Sequence, residues 1–65
     1  MRKDLILVYS VIGKDIFYRG ISCENGSVLW AGCMPNTEGY EVAICGLKSD
    51  IEGFGFNVLS IINNN

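Results

Sequence analysis

Three cysteines, Cys23, Cys33 and Cys45, are the side chains of this 65-residue chain with the most evident capacity for chemistry. Gaps of nine and eleven residues separate them. Those gaps match neither a zinc site nor a thioredoxin-type redox pair, and an odd number cannot be fully paired within one chain. With no histidine in the chain, the commonest activating base and metal ligand is missing. We expect three reduced, half-buried thiols in a reducing compartment, with a secreted disulfide scaffold as the alternative.

Two other groups of residues invite a catalytic or ligand-binding interpretation. Asp50 and Glu52 are neighbouring carboxylates, but they lie in a predicted loop, where solvated turn residues are the better interpretation. The segment Gly53-Phe54-Gly55-Phe56 contains Gly-x-Gly without the six-residue nucleotide-binding fingerprint or the helix that follows it. Its phenylalanines could stack on single-stranded nucleic acid, but with only five basic residues in the chain we interpret them as core. The sequence predicts no enzyme site, no metal site and no cofactor.

Composition argues against several classes of protein. The chain is 49% hydrophobic, which is too apolar for disorder, and no run approaches the roughly 20 apolar residues of a membrane helix. Five Lys and Arg against seven Asp and Glu give a formal net charge of −2, unlike the basic surface of a nucleic-acid binder. Met1-Arg2-Lys3 and the apolar run after it resemble a signal peptide, but Asp4 and the lack of a small-x-small cleavage site argue against one. We predict a cytoplasmic protein with neither a nucleic acid nor a membrane as partner.

The elements that position these side chains begin with three predicted strands. Residues 5–10 form a continuous apolar run of strand length, and Gly13-Lys14-Asp15 supplies a turn after it. Two further runs rich in β-formers, 16–23 and 28–33, flank Asn25-Gly26. Asn-Gly between two apolar runs favours a two-residue hairpin turn, because both turn residues must accept a positive φ. The first three elements are therefore expected to form antiparallel hairpins.

A two-residue turn at Asn25-Gly26 would fix which side chains of the second hairpin meet. Ile21 would oppose Trp30, and Arg19 would lie diagonal to Trp30 on the same face. Trp and Arg are the residue types most enriched in interface hot spots, whereas ordinary hairpin packing is the alternative interpretation. We predict a binding surface built from these residues and their neighbours: Phe17, Arg19, Ile21, Trp30 and Tyr40.

A helix and a fourth strand complete the predicted fold. Thr37 is a suitable N-cap, and Lys48-Ser49-Asp50 would end a helix over residues 37–48. A strand over the same residues is the alternative, because its apolar residues also alternate. The residues with helical spacing are Tyr40, Ala43, Ile44 and Leu47. Residues 54–62 have strand character, and Asn63-Asn64-Asn65 is expected to fray. The prediction is one α+β domain over residues 1–62 and a polar tail, 63–65: a small antiparallel sheet, order β-β-β-α-β, with one short helix on one face.

The predicted sheet has more apolar residues than one helix can cover. The first three strands carry apolar side chains on both faces, and only 18% of all residues are charged. An uncovered apolar face of several hundred square ångströms is normally an interface. We therefore expect a homodimer or larger assembly, or a docked partner. A monomer whose last strand and loops close the second face is the alternative.

A set of spaced residues within 10–38 also supports an interpretation by resemblance. They are Ser10-x-x-Gly13-x-x-Ile16 with Gly20, Gly26-x-x-x-Trp30-x-Gly32 and Thr37-Glu38. The pattern resembles a group of short uncharacterised proteins of tailed phages, which begin with such a hairpin followed by a helix. The resemblance implies a phage-type accessory protein with no catalytic residue, and phage proteins of this size commonly bind and block a host protein.

Together these observations predict a non-catalytic protein-interaction protein that inhibits a bacterial host or defence protein. Two alternatives remain open. One is a homo-oligomeric structural subunit. The other is a sponge that sequesters a small nucleotide-like ligand in a dimer cleft, using Arg19, Trp30 and Tyr40.

Overall fold

The computed structural model describes residues 3–65, which form four strands and one helix. Met1 and Arg2, the first residues of the segment that resembles a signal peptide, lie outside the described residues. The elements are β1 (Lys3–Ile12), β2 (Asp15–Ser22), β3 (Val28–Pro35), α1 (Tyr40–Gly53) and β4 (Phe56–Asn63). The predicted order β-β-β-α-β and the α+β class are confirmed. Residues 37–48, for which a helix was predicted with a strand as the alternative, contain the start of α1.

The sheet is mixed, so the prediction of a purely antiparallel sheet was wrong. The strand order is β3-β2-β1-β4, with β1–β2 and β2–β3 antiparallel and β1–β4 parallel. Two hairpins make β3 run in the same direction as β1. The helix then returns the chain to the end of the sheet where both strands began, as in any βαβ connection. β4 therefore starts at the same end as β1 and must lie parallel to it.

The helix begins later and ends later than predicted. Gly39 has a φ of 97°, outside the helical region, and no side chain caps the first turn, so Thr37 is not the N-cap. At the other end the residues Lys48-Ser49-Asp50 remain helical. Ile51 extends the buried stripe of the helix by one more turn. Packing of this stripe on the sheet outweighs the weak helix propensity of the polar residues before it.

The core lies between α1 and one face of the sheet. Its buried side chains come from every layer: Leu5, Leu7, Tyr9, Ile16, Ile44, Leu47, Ile51 and Val58. Two glycines permit close approaches on this face: a Cβ built on Gly32 would collide with the Tyr18 ring, and Gly20 lies against Trp30 and Leu5. A Cβ built on Gly20 would lie 3.0 Å from the Cβ of Trp30 and 3.3 Å from a methyl carbon of Leu5, so any side chain there would displace its neighbours.

The C-terminal asparagines continue the pairing of β4 with β1. Asn63 belongs to β4, and the Asn64 N–H donates to the Tyr9 carbonyl at 2.8 Å. The Asn65 side chain then takes the place of a further strand residue. Its Oδ1 accepts from the Val11 N–H and its Nδ2 donates to the Val11 carbonyl, both at 2.7 Å. The polar tail is thus part of the sheet edge.

Candidate interaction surfaces

The face of the sheet opposite α1 carries mostly apolar side chains, and we call it the open sheet face. Residues directly paired across strands point to the same side of a sheet, and the register assigns this face without ambiguity. Its apolar members are Ile6, Val8, Ile12, Phe17, Ile21, Val28, Ala31, Cys33, Pro35 and Ile62, and its polar members are Asp4, Ser10, Asp15, Arg19, Asn57 and Ser60. Its neighbours along β1, such as Leu7, point to α1 and are buried. Within residues 3–65, no second helix lies over the open sheet face.

Several large apolar side chains of this face are exposed to solvent, whereas Ile6, Val8 and Ile21 are half-buried. Ile12 is 63% exposed, and Phe17 and Ile62 are each 45% exposed, whereas Ile16 on the covered face is 0% exposed. Isolated exposed apolar residues are common on protein surfaces, but a contiguous set on three neighbouring strands is the feature that marks an interaction site.

Three rows of paired residues organise the part of this face that is nearest the β1–β2 turn. The central row is Ser10–Phe17–Cys33, across β1, β2 and β3. One flanking row is Val8–Arg19–Ala31, and the other is Ile12–Asp15–Pro35. A shallow depression of about 300 Å³ lies over these rows, lined by Val8, Ser10, Ile12, Phe17, Arg19 and Ala31 among others.

Two opposite charges flank the centre of the depression. Arg19 and Asp15 are both exposed and lie on β2, two residues to either side of Phe17. At a rise of about 3.3 Å per residue, four strand positions separate their Cα atoms by about 13 Å. That separation is too large for the two residues to pair with each other along the strand, so both charges are presented to solvent or to a partner.

Trp30 lies on the other face of the sheet from Arg19, and the predicted juxtaposition of the two was wrong. The register pairs Gly20 with Trp30 and Arg19 with Ala31, with an irregularity between Gly20 and Ile21. The prediction had placed Trp30 opposite Ile21. A shift of one residue moves every following side chain to the opposite face, so Trp30 packs against the core beneath α1.

The hairpin loop explains this shift. Gly26 has a φ of 75°, but Asn25 does not have a positive φ, so the two cannot form a type I′ turn. The Ser22 N–H donates to the Ser27 carbonyl at 2.8 Å, which leaves four residues in the loop. Asn25 instead uses its Oδ1 to accept from the Ser27 N–H at 3.0 Å. This side-chain turn competes with the main-chain turn that the Asn-Gly pair predicts.

A second exposed apolar feature, the aromatic cluster of Trp30, Phe54 and Phe56, lies on the helix side of the molecule. The Trp30 ring centroid is 5.1 Å from that of Phe54 and 6.0 Å from that of Phe56, in tilted and edge-on arrangements. Phe54 is 72% exposed, so its assignment to the core was wrong, whereas Phe56 is half-buried. Phe54 follows α1 directly, and its place beside Trp30 depends on the helix crossing the sheet, which local sequence does not reveal.

The five predicted binding residues therefore fall on two sides of the sheet. Phe17, Arg19 and Ile21 lie on the open sheet face. Tyr40 begins α1 and stacks on Tyr9 of the covered face, with ring centroids 6.0 Å apart and planes at 29°. Trp30 is also on the helix side, so the structure brings together three of the five and separates the other two from them. Sequence reasoning missed Ile12, although its alternation with Val11, which packs against the core, could have identified it.

The three thiols are free and exposed, so the expectation of half-buried cysteines was wrong. Cys33 lies on the open sheet face, in the central row. In the part of the chain that the structure describes, no three Cys, Asp or Glu side chains are grouped as metal ligands. No helix among residues 3–65 has both the length and the hydropathy needed to cross a bilayer.

Comparison with family models, with curated proteins and with solved structures found no match to this chain.

Proposed function

We propose that this chain is a non-catalytic protein-interaction protein that binds through the open sheet face. The observation that carries the proposal is the exposure of a contiguous apolar surface on β1 and β2, opposite the only layer of core packing within residues 3–65. Apolar side chains beside Arg19 are typical of the centre of an interface, where arginine is enriched. The depression over Phe17 offers a partner a concave point of attachment.

The partner we propose is a bacterial host or defence protein in the cytoplasm, which the chain would inhibit by occupying its surface. The support is the resemblance of the residue pattern within 10–38 to short tailed-phage proteins, together with the open sheet face. Steric blocking needs only a complementary surface and no reacting group, which suits the apolar character of that face.

The two other candidate functions place different demands on the same residues. A homo-oligomeric subunit would use the open sheet face against a second copy. A nucleotide-like ligand held by Arg19, Trp30 and Tyr40 would need two chains, because within one chain Arg19 lies on the opposite side of the sheet from the two aromatic residues.

Affinity capture with a matched pair of variants tests the proposal. Immobilised wild-type chain should retain one bacterial protein in stoichiometric amount from lysate, identified by mass spectrometry. Phe17→Thr removes the aromatic centre of the open sheet face but puts another residue that favours strands in its place, and should lose that partner. Val42→Thr, at an exposed position of α1 (57% exposed, against 45% for Phe17), is the control and should retain it.

Two outcomes would contradict the proposal. Retention of the same partner by Phe17→Thr would place the binding surface elsewhere on the molecule. A wild-type chain that captures nothing and also sediments as a monomer at all concentrations would mean that the open sheet face is not a protein interface.

A further inference from the structure

We infer that the open sheet face is self-complementary and binds a second copy of this chain, face to face, about a two-fold axis that runs along the central row Ser10–Phe17–Cys33. The inference rests on one part of the proposed function, that this face is a protein interface. A second copy and the proposed bacterial protein would compete for the face, and the inference concerns the isolated protein. It commits to one arrangement of the two copies, with their β2 strands antiparallel.

The geometry follows from the equal spacing of the two flanking rows. A two-fold axis midway between two facing sheets and parallel to the central row reverses the direction of every strand. Each flanking row of one copy then faces the other flanking row of the partner copy. Val8–Arg19–Ala31 of one copy lies over Ile12–Asp15–Pro35 of the other, and the same contacts recur on the opposite side of the axis, as an isologous interface requires.

The residues brought together in this way are chemically matched. Val8 meets Ile12, which buries two accessible aliphatic side chains. Arg19 meets Asp15 twice, once on each side of the axis. Phe17 meets its own counterpart on the axis, where both rings fill the shallow depression. The self-complementarity of the charges is the observation that points to a second copy as an occupant of this face.

A two-fold axis along either flanking row would not pair opposite charges in this way. An axis through the row of Arg19 would set two guanidinium groups against each other, and one through the row of Asp15 would do the same with two carboxylates. Like charges opposed in this way disfavour a complex strongly. Among the three rows, only the Ser10–Phe17–Cys33 row lets each charge of one copy meet its opposite in the other.

Exchange of the two charges tests the arrangement. The wild-type chain should sediment with a concentration-dependent mass between 7.1 kDa and twice that value. Arg19→Glu or Asp15→Arg alone opposes like charges across the axis and should weaken self-association about tenfold or more. The double variant R19E/D15R should restore it to near the wild-type level. An equimolar mixture of the two single variants should form heterodimers, because each charge then meets its opposite.

Two charge reversals on the helix, Lys48→Glu and Asp50→Arg, are the matched controls for net charge and should leave self-association unchanged. Circular dichroism should show that all variants keep the fold, since both Arg19 and Asp15 are exposed. Single reversals that associate like wild type, or a double variant that stays as weak as the single ones, would overturn the inference.

The position of Cys33 gives a readout that needs no change in charge. Sheets that pack face to face lie about 10 Å apart, beyond the Cα separation of a disulfide, so the two Cys33 thiols on the axis should react with a short bismaleimide instead. In a C23S/C45S background this reagent should trap a covalent dimer at micromolar protein. The C23S/C33S variant, with Cys45 on α1, should not be trapped. Equal trapping of both would overturn the inference.

The failure of this inference can be distinguished from failure of the proposed function. A wild-type chain that is monomeric, yet captures a bacterial protein that Phe17→Thr loses, would leave the open sheet face as an interface with a different occupant. A monomeric chain that captures nothing would overturn both.

Discussion

The two faces of this sheet contain similar residue types but differ in how far their side chains are exposed to solvent. Leu7 and Ile16 on the covered face are completely buried beneath α1, whereas Ile12 and Phe17 on the open sheet face are about half exposed or more. The covered face also contains Gly20, where any side chain would collide with its neighbours, and the open sheet face has no such constraint. Complete burial of apolar side chains in this sheet occurs on the side where the helix lies, whereas Ile12 and Phe17 on the other side are available for association.

The largest difference between the faces should appear when the same truncation is made on each. Ile16→Ala should lower the free energy of unfolding by about 2–5 kcal/mol, because it leaves a cavity in the packed core. Ile12→Ala, four residues earlier and 63% exposed, should cost less than about 1 kcal/mol in the monomer. Urea denaturation at submicromolar protein, where self-association is minimal, measures both values. Equal losses would mean that the open sheet face is packed within the single chain.

Truncation of Trp30 should lower stability but not association. Trp30 is half-buried, packs on the core and contacts two phenylalanine rings, so Trp30→Ala should cost about 3 kcal/mol of unfolding free energy. Because its side chain lies on the helix side of the sheet, sedimentation of the variant under conditions where it remains folded should match that of wild type. A folded variant with greatly weakened association would return Trp30 to the interface that sequence analysis first assigned to it.

Two glycine substitutions should have opposite signs and the smallest effects. Gly20→Ala forces its methyl group against Trp30 and Leu5 and should cost about 1–3 kcal/mol through overpacking. Gly46→Ala, in the exposed middle of α1 with no other atom within 4 Å of the new Cβ, should stabilise the chain by about 0.5–1 kcal/mol. Thermal denaturation of the two variants shows whether each one is less or more stable than wild type. Destabilisation by Gly46→Ala would contradict the described position of the helix.

Sequence alone predicted the elements of this fold better than the relations between them. The apolar runs of β1, β2 and β3 and the helical stripe of Ile44 and Leu47 are local patterns, and each was located to within a few residues. The parallel pairing of β4 with β1 was missed, because it depends on where the helix delivers the chain. The same is true of Phe54, whose contact with Trp30 joins the end of α1 to β3.

The candidate site was predicted only in part, for a specific physical reason. Phe17, Arg19 and Ile21 were grouped correctly, because alternation along one strand fixes their common face. The grouping of Trp30 with them depended on the conformation of one loop. Asn25 could either adopt a positive φ or bond to the Ser27 N–H through its side chain, and the choice between these alternatives decided which face received the tryptophan.

The pairing of β1 with β4 also determines when the sheet can be completed during synthesis. β1 and β2 are joined by a short turn and can pair as soon as both have left the ribosome, whereas Leu5 must wait for Val58 to be translated before this edge is closed. Until then β1 offers an unpaired edge, and its apolar residues have no complete helix layer above them. Contacts between distant parts of a chain form late and slowly. The sheet therefore acquires its native strand order only after β4 has been synthesised, and until then β1 lacks its partner on one edge.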